Sequence, residues 1–166
     1  MLRMRAERFD AEGYPDEPFA EIIPGLFQAS ADLSPAEMLS MFDVLIDVGG
    51  RDRWVGEPDP RYRFHPLDDA PVIVDVEMIH SMGERIAALV NEGKHVAVSC
   101  LGGVNRSGLL IGRAMVELGY SPEEAIEAIR SARGPIALNN DRFVRFLLNE
   151  CTPRALARRR QLSLPL

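Results

Sequence analysis

The chain is short of the residues from which many small sites are built. Its 166 residues include two cysteines, Cys100 and Cys151, and three histidines. Two thiols are too few for a disulfide framework, so a reduced, cytoplasmic setting is the simplest expectation. His65, His80 and His95 have no ligand spacing with one another or with either cysteine, so neither a metal site nor a cofactor is expected. No apolar run reaches the roughly 18 residues a membrane span needs. The opening stretch, Met1 to Asp10, mixes arginine with acid around no apolar segment and is not expected to act as a secretory signal. Positive charge is also scarce. The net charge is −6, which argues against nonspecific binding to nucleic acid by the surface as a whole. The exception is local: Arg154-Ala155-Leu156-Ala157-Arg158-Arg159-Arg160 is a basic cluster. It suits a helix C-terminus facing its dipole, or equally a docking segment for an anionic surface.

What is present is enough for one ordinary domain, with 46% hydrophobic residues and no internal repeat or linker that would divide it. Residues 1–18 read as an extended, loosely packed lead-in. Glu21 to Ser30 reads as two short strands about Pro24-Gly25. Ser34-Pro35-Ala36-Glu37 is a capped helix start, with the serine as cap and the glutamate closing a capping box. Val44 to Val48 is a buried strand ended by Gly49-Gly50, and Tyr62 to Pro66 a third strand beyond a polar loop. Val74 to Asn91 carries apolar residues at helical spacing. His95 to Ser99 is the next strand, Asn105 to Leu118 the next helix. Ser121-Pro122-Glu123-Glu124 opens a helix to Arg133, and Asn139 to Glu150 forms another. Pro153 to about Gln161 reads as a last one. Strands alternating with helices, then helices alone, predict an α/β fold: a small, mostly parallel central sheet flanked by helices.

The segment Val98-Ser99-Cys100-Leu101-Gly102-Gly103-Val104-Asn105-Arg106-Ser107-Gly108 stands apart. A strand delivers a cysteine to a short glycine-bearing loop that an arginine closes at a helix start. Such a loop can wrap a tetrahedral dianion with its backbone N–H groups, aided by the helix N-terminus. A cysteine in its floor is favoured as thiolate, the nucleophilic form. Gly102 and Gly103 permit a tight turn and close approach. Arg106 supplies a planar fork for two oxygens, which lysine would not reproduce.

This run resembles the C-x5-R-[ST] loop of the cysteine-based protein tyrosine phosphatases. Within that superfamily it is most similar to the compact dual-specificity phosphatases, with H-C-x-x-G-x-x-R-S as the common form. Cys100, Gly103, Arg106 and Ser107 match; Ser99 stands where the family has histidine. The resemblance covers roughly residues 19–149 and implies a phosphotyrosine phosphatase-like fold. It divides the chain into a lead-in (1–18), a catalytic domain (19–150) and a basic C-terminal helix or tail (151–166).

The resemblance also implies site residues. Cys100 is the nucleophile and Arg106 the oxyanion clamp. The backbone of Leu101, Gly102, Gly103, Val104, Asn105 and Arg106 forms the phosphate cradle. Ser107 assists the departing sulfur. His65-Pro66-Leu67-Asp68-Asp69-Ala70-Pro71 is similar to the general-acid loop, with Asp69 the expected acid and Asp68 the second choice. Asn140 and Phe143 match a downstream N-x-x-F; Asn140 would orient the loop or cap the following helix. Asn105 is expected as structural support within the loop. Cys151 is expected as a semi-buried helix residue. Arg51-Asp52-Arg53-Trp54 is either a rim for substrate or an ordinary surface loop. The absence of lysine at Leu101, Gly102, Val104 and Asn105 disfavours multiply phosphorylated lipids or inositols. The expected activity is hydrolysis of phosphate monoesters, phosphotyrosine and with it phosphoserine or phosphothreonine. The expected partner is a phosphorylated protein or small phosphate ester; the oligomeric state is not specified. Competing readings are a phosphate-binding adaptor without turnover, a phosphatase for a non-protein ester, and a sulfur-transfer or arsenate-reducing protein.

Overall fold

The computed structural model describes residues 9–154. Residues 155–161, which hold the rest of the last expected helix and most of the basic cluster, lie outside them, as do residues 1–8 of the lead-in; Pro153 and Arg154, where that helix was expected to start, are not helical. Ten elements follow in order: β1 (Phe19–Ile23), β2 (Leu26–Ala29), α1 (Pro35–Leu39), β3 (Val44–Asp47), β4 (Tyr62–Phe64), α2 (Val76–Asn91), β5 (Val96–Ser99), α3 (Arg106–Glu117), α4 (Pro122–Arg133) and α5 (Asp141–Glu150). The sheet order is β1-β2-β5-β3-β4. Only β1 and β2, joined through Gly25 at φ 84°, run antiparallel. The other three pairings are parallel.

Side-chain alternation along the strands splits the core in two. Leu26, Ile46, Val96 and Val98 face α2, α3, α4 and α5 with Ile79, Ile86, Leu109, Leu110, Ile129, Phe143 and Phe146. Leu45 and Ala97 point the other way, to Met38, Leu39, Phe42 and Tyr62. Phe27 joins that second face, where it meets Phe42 at 4.7 Å and Phe19 at 6.4 Å between ring centres. A sheet covered on both sides explains why β3 and β5 read as unbroken apolar runs.

Both capping boxes form as the sequence implies. Ser34 Oγ accepts from Glu37 N at 3.2 Å, and Glu37 accepts from Ser34 N at 2.7 Å. Ser121 and Glu124 repeat the arrangement at 3.1 and 2.7 Å. Residues 9–18 differ from the loose lead-in expected. Asp10 closes a turn on Tyr14, Phe9 bridges Pro15, and Phe9 packs beside Gly134 at the end of α4.

β5 is the central strand, and its C-terminal end sits where the crossover to α3 begins. Asp47, Ala29 and Ser99 lie side by side at the strand ends. In an open parallel sheet this is where ligands bind, outside the carboxyl ends of the strands.

Candidate active site

Residues 100–105 form the turn from β5 to α3. Its carbonyls face outward to fixed partners. Leu101 O accepts from Ala31 N at 3.0 Å, Val104 O from Leu138 N at 3.1 Å, and Gly103 O from Arg133 Nε at 3.0 Å. Among the described residues, the N–H groups of Leu101 to Asn105 have no acceptor in the protein. Gly103, Val104 and Asn105 are buried, and buried backbone donors are nearly always paired. Gly103 takes φ 64°; a Cβ there would stand 2.5 Å from Arg133 and 2.6 Å from the Ala29 backbone. No other residue fits.

Cys100 is 3% exposed. Its Sγ lies 3.3 Å from Ser107 Oγ, which accepts from Gln28 Nε2 at 3.0 Å. With Gln28 occupying a lone pair of that hydroxyl, the Ser107 hydrogen is free to point at the sulfur. Gln28 is fully buried on β2 and also reaches Val104 O at 3.4 Å.

Arg106 opens α3. Its Nη1 donates to Leu67 O at 3.4 Å, and a Cβ on Gly50 would stand 3.8 Å from the same nitrogen. Among the described residues it has no carboxylate partner. Apart from the Leu67 bond, its fork is unmatched by an anion beside the loop.

Asp69 is brought to this loop by two amides. Asn105 Nδ2 donates to one carboxylate oxygen at 3.0 Å, and Asn140 Nδ2 to the other at 2.7 Å. Asn140 also donates to Ala70 O at 3.0 Å and accepts from Arg142 N at 3.0 Å. It thus caps α5 and holds the Asp69 loop together, joining the two roles the sequence left open. Asn105 supports the structure as expected, but toward Asp69 and Asn139. Asp68 is exposed, has no such clasp, and lines a separate cleft with Leu67, Val72, Ile73 and Leu109. Phe143 is buried in the core.

One expectation needs correction. Arg53 does not offer its charge to a substrate rim. Its Nε pairs with the buried Asp47 at 2.8 Å, and its terminal nitrogens donate to Ala31 O, Leu33 O and Ser99 Oγ. Burial of Asp47 demands this partner. Trp54 stacks on Tyr62 at 5.2 Å. Arg51 alone of the two arginines is exposed.

Three contributors escape a reading of the sequence: Gln28, Arg133 and Tyr14. The first two bond loop groups from distant elements. The Tyr14 ring edge lies 3.7 Å from where a Gly102 side chain would begin. For Arg133 a signal existed, because it continues the apolar stripe Ala125, Ile126, Ile129 of α4. A large groove of about 660 Å³ between α4 and α5 includes none of the loop residues. The cleft adjoining the loop, about 450 Å³, is lined by Asp69, Asn105, Asn139, Asn140, Arg142 and Arg145. The described residues hold no His/Cys/Asp/Glu cluster suited to a metal, and no described helix is long and apolar enough to cross a membrane.

Cys151 is buried at the end of α5, and burial pushes its thiol up to about 12. It is not poised as a nucleophile.

No family model matches the chain, and no curated protein sequence matches it. Solved structures do. Human DUSP28 is 21% identical over 85% of this chain and 96% of that one, with a TM-score of 0.64. A human tyrosine phosphatase-like serine/threonine/tyrosine-interacting protein is 18% identical over 87% and 98%, at 0.63. PTPMT1, solved in complex with PI(5)P, is 16% identical over 79% and 97%, at 0.60. The sheet order, the crossover at Cys100 and these likenesses agree: the chain has the fold of the dual-specificity type of cysteine-based protein tyrosine phosphatases.

Proposed function

We propose that the chain is a cysteine-dependent phosphoric monoester hydrolase. One observation carries this reading: among the described residues, the amides of Leu101, Gly102, Gly103, Val104 and Asn105 have no acceptor around a cysteine sulfur, beside an arginine with no carboxylate partner. Backbone donors held in place by outward-bonded carbonyls need no rearrangement to receive phosphoryl oxygens.

In the first step Cys100 Sγ, as thiolate, attacks phosphorus. The S–P bond forms and the bond to the ester oxygen breaks. Asp69, protonated, gives its hydrogen to the leaving oxygen. Arg106 and the five amides take the charge on the three remaining oxygens. In the second step the same carboxylate takes a proton from water as that water attacks the cysteinyl phosphate. The S–P bond breaks, and Ser107 donates to the departing sulfur. The thiolate needs a reducing, cytoplasmic-type compartment.

Phosphotyrosine is the favoured substrate, with phosphoserine and phosphothreonine accepted at a shallow mouth. PTPMT1 was solved with a phosphoinositide. Here the loop side chains Leu101, Val104 and Asn105 bring no cation to meet further phosphates. A small non-protein phosphate ester is the alternative substrate.

A second reading has its own observation. Both Asp69 oxygens accept an amide N–H, while an acid must carry a hydrogen on one of them. A clasp that held Asp69 away from the leaving oxygen would leave phosphate bound without turnover, as a phosphate-binding adaptor.

The test is turnover of an aryl phosphate by the purified protein beside Cys100→Ser and Asp69→Asn. Metal-independent, chelator-insensitive turnover that disappears in Cys100→Ser supports the enzyme. Equal rates for wild type and Cys100→Ser refute it. Phosphopeptide binding with no turnover selects the adaptor.

A further inference from the structure

Arg133 is the last residue of α4 and is 0% exposed. Its guanidinium has two hydrogen-bond partners, and both are carbonyls: Nε donates to Gly103 O at 3.0 Å and Nη1 to Glu17 O at 2.9 Å. Nη2 is buried and has no hydrogen-bond partner among the described residues. The N-terminal segment lies beside it, and Phe9, Pro15, Asp16, Glu17 and Phe19 line a recess of about 330 Å³ with it. Burial holds the guanidinium below its ordinary value, at about 10, so at neutral pH it is still a cation.

A buried cation is rarely left without a counter-charge. Cys100 and Asp32 act on the charge of Arg133, and Asp16 and Glu17 line the same recess; among the described residues no carboxylate forms an ion pair with it. Asp32 already accepts from Ser30 Oγ at 2.6 Å. The other cations about Cys100 are placed differently. Arg53 reaches Ser99 Oγ, but its charge is matched by Asp47 at 2.8 Å. Arg106 faces the side where phosphate is expected. Arg133 is buried on the inner side of the loop, bonded to Gly103 O.

We propose that Arg133 is a positioning residue for the hydrolase reaction, on whose reading this inference rests. It holds the Gly103 carbonyl from beneath and sets a buried positive charge on the inner side of the loop that carries Cys100. Ser99, uncharged and directly before the cysteine, leaves this task to α4.

The experiment is the pH dependence of Cys100 alkylation by iodoacetamide, followed by peptide mass so that Cys151 serves as an internal control. Arg133→Gln retains a donor for Gly103 O and loses the charge. Arg133→Lys retains the charge. The expected result is a midpoint that rises by about one unit or more in Arg133→Gln and returns toward wild type in Arg133→Lys. If the glutamine variant fails to fold, Arg133→Met, which removes a buried unpaired charge, takes its place. An unchanged midpoint in a folded, uncharged variant, or a lysine variant that behaves like glutamine, overturns the proposal. A wild type that turns over no phosphate ester but keeps an Arg133-dependent midpoint refutes the hydrolase reading alone. An active enzyme whose midpoint ignores Arg133 refutes this inference alone.

Discussion

The loop that carries Cys100 has two unlike sides. Behind it, Gln28, Ser107, Gly103, Arg133 and Leu138 are buried, and the carbonyls of Gly103 and Val104 are tied to neighbouring elements. In front of it, Leu101 is 70% exposed and Asp69 rests on two asparagine amides. The back is built from close packing and buried hydrogen bonds, which tolerate little change. The front is built from a few exposed polar contacts, each worth less and each able to break and reform. Fixed geometry is what an anion cradle requires. Freedom is what an acid needs if it is to gain and lose a proton while substrates enter.

The sharpest way to break this comparison is Gly103→Ala. The positive φ and the 2.5 Å approach of Arg133 leave no place for a methyl group. Turnover is expected to fall by at least about 10²-fold, as for lost oxyanion donors, with a lower thermal midpoint. Wild-type activity in this variant would mean the back is softer than its packing indicates. Next comes Asp69→Asn on the front. Loss of the acid should slow hydrolysis of an alkyl or peptide ester by roughly 10²-fold or more, while the melting temperature stays near wild type. Asn140→Ala follows. It removes the cap of α5 and one arm of the clasp, for about 1 kcal/mol of stability and a lower kcat on a substrate whose leaving oxygen needs a proton. A stability loss with no kinetic change would show that the clasp is idle. The smallest effect is expected from Leu101→Ala, within about twofold in kcat/KM, since mutation of an exposed side chain away from special contacts costs little.

A fifth prediction concerns the far side of α2 and α3. Burial, and then the Arg113 guanidinium, hold His80 below its ordinary value of 6.5. Its Nδ1 accepts from Arg113 Nε at 2.8 Å, which requires that nitrogen to be free of hydrogen. As pH falls through 6.5 the unfolded chain takes up a proton there and the fold does not, so stability declines on acidification. His65 is shifted the same way, by burial and then Arg63. Denaturation at pH 7.5 and 5.5 should show the drop, and His80→Gln should reduce it.

Much of the fold was legible because it is local. β3 and β5 are short apolar runs bounded by glycine, loop or cysteine, and Ser34 and Ser121 announce their helices through capping boxes that depend on four consecutive residues. Cys100, Arg106 and Ser107 were legible for the same reason, being one turn of chain. The sheet order was not, because strand neighbours are decided by crossovers and not by composition. Arg53 misled because a charge in a polar loop looks the same whether it meets solvent or a buried Asp47 some six residues back. Arg133 carried a faint signal in the apolar stripe of α4, outweighed by its position at a helix end, where arginine is ordinarily a solvated partner of the dipole. Gln28 and Asn140 act across 79 and 71 residues respectively, to Ser107 and Asp69. No pattern within a window of sequence reports such bonds.

The near-complete burial of the Cys100 sulfur has a chemical consequence of its own. A reagent must be slim before it can be reactive. Hydrogen peroxide passes where a bulky disulfide does not, so oxidative damage here should begin as a sulfenic acid and be met by small reductants. Inhibitor design faces the same gate: a flat warhead on a narrow stem will outrun a stronger electrophile on a broad scaffold.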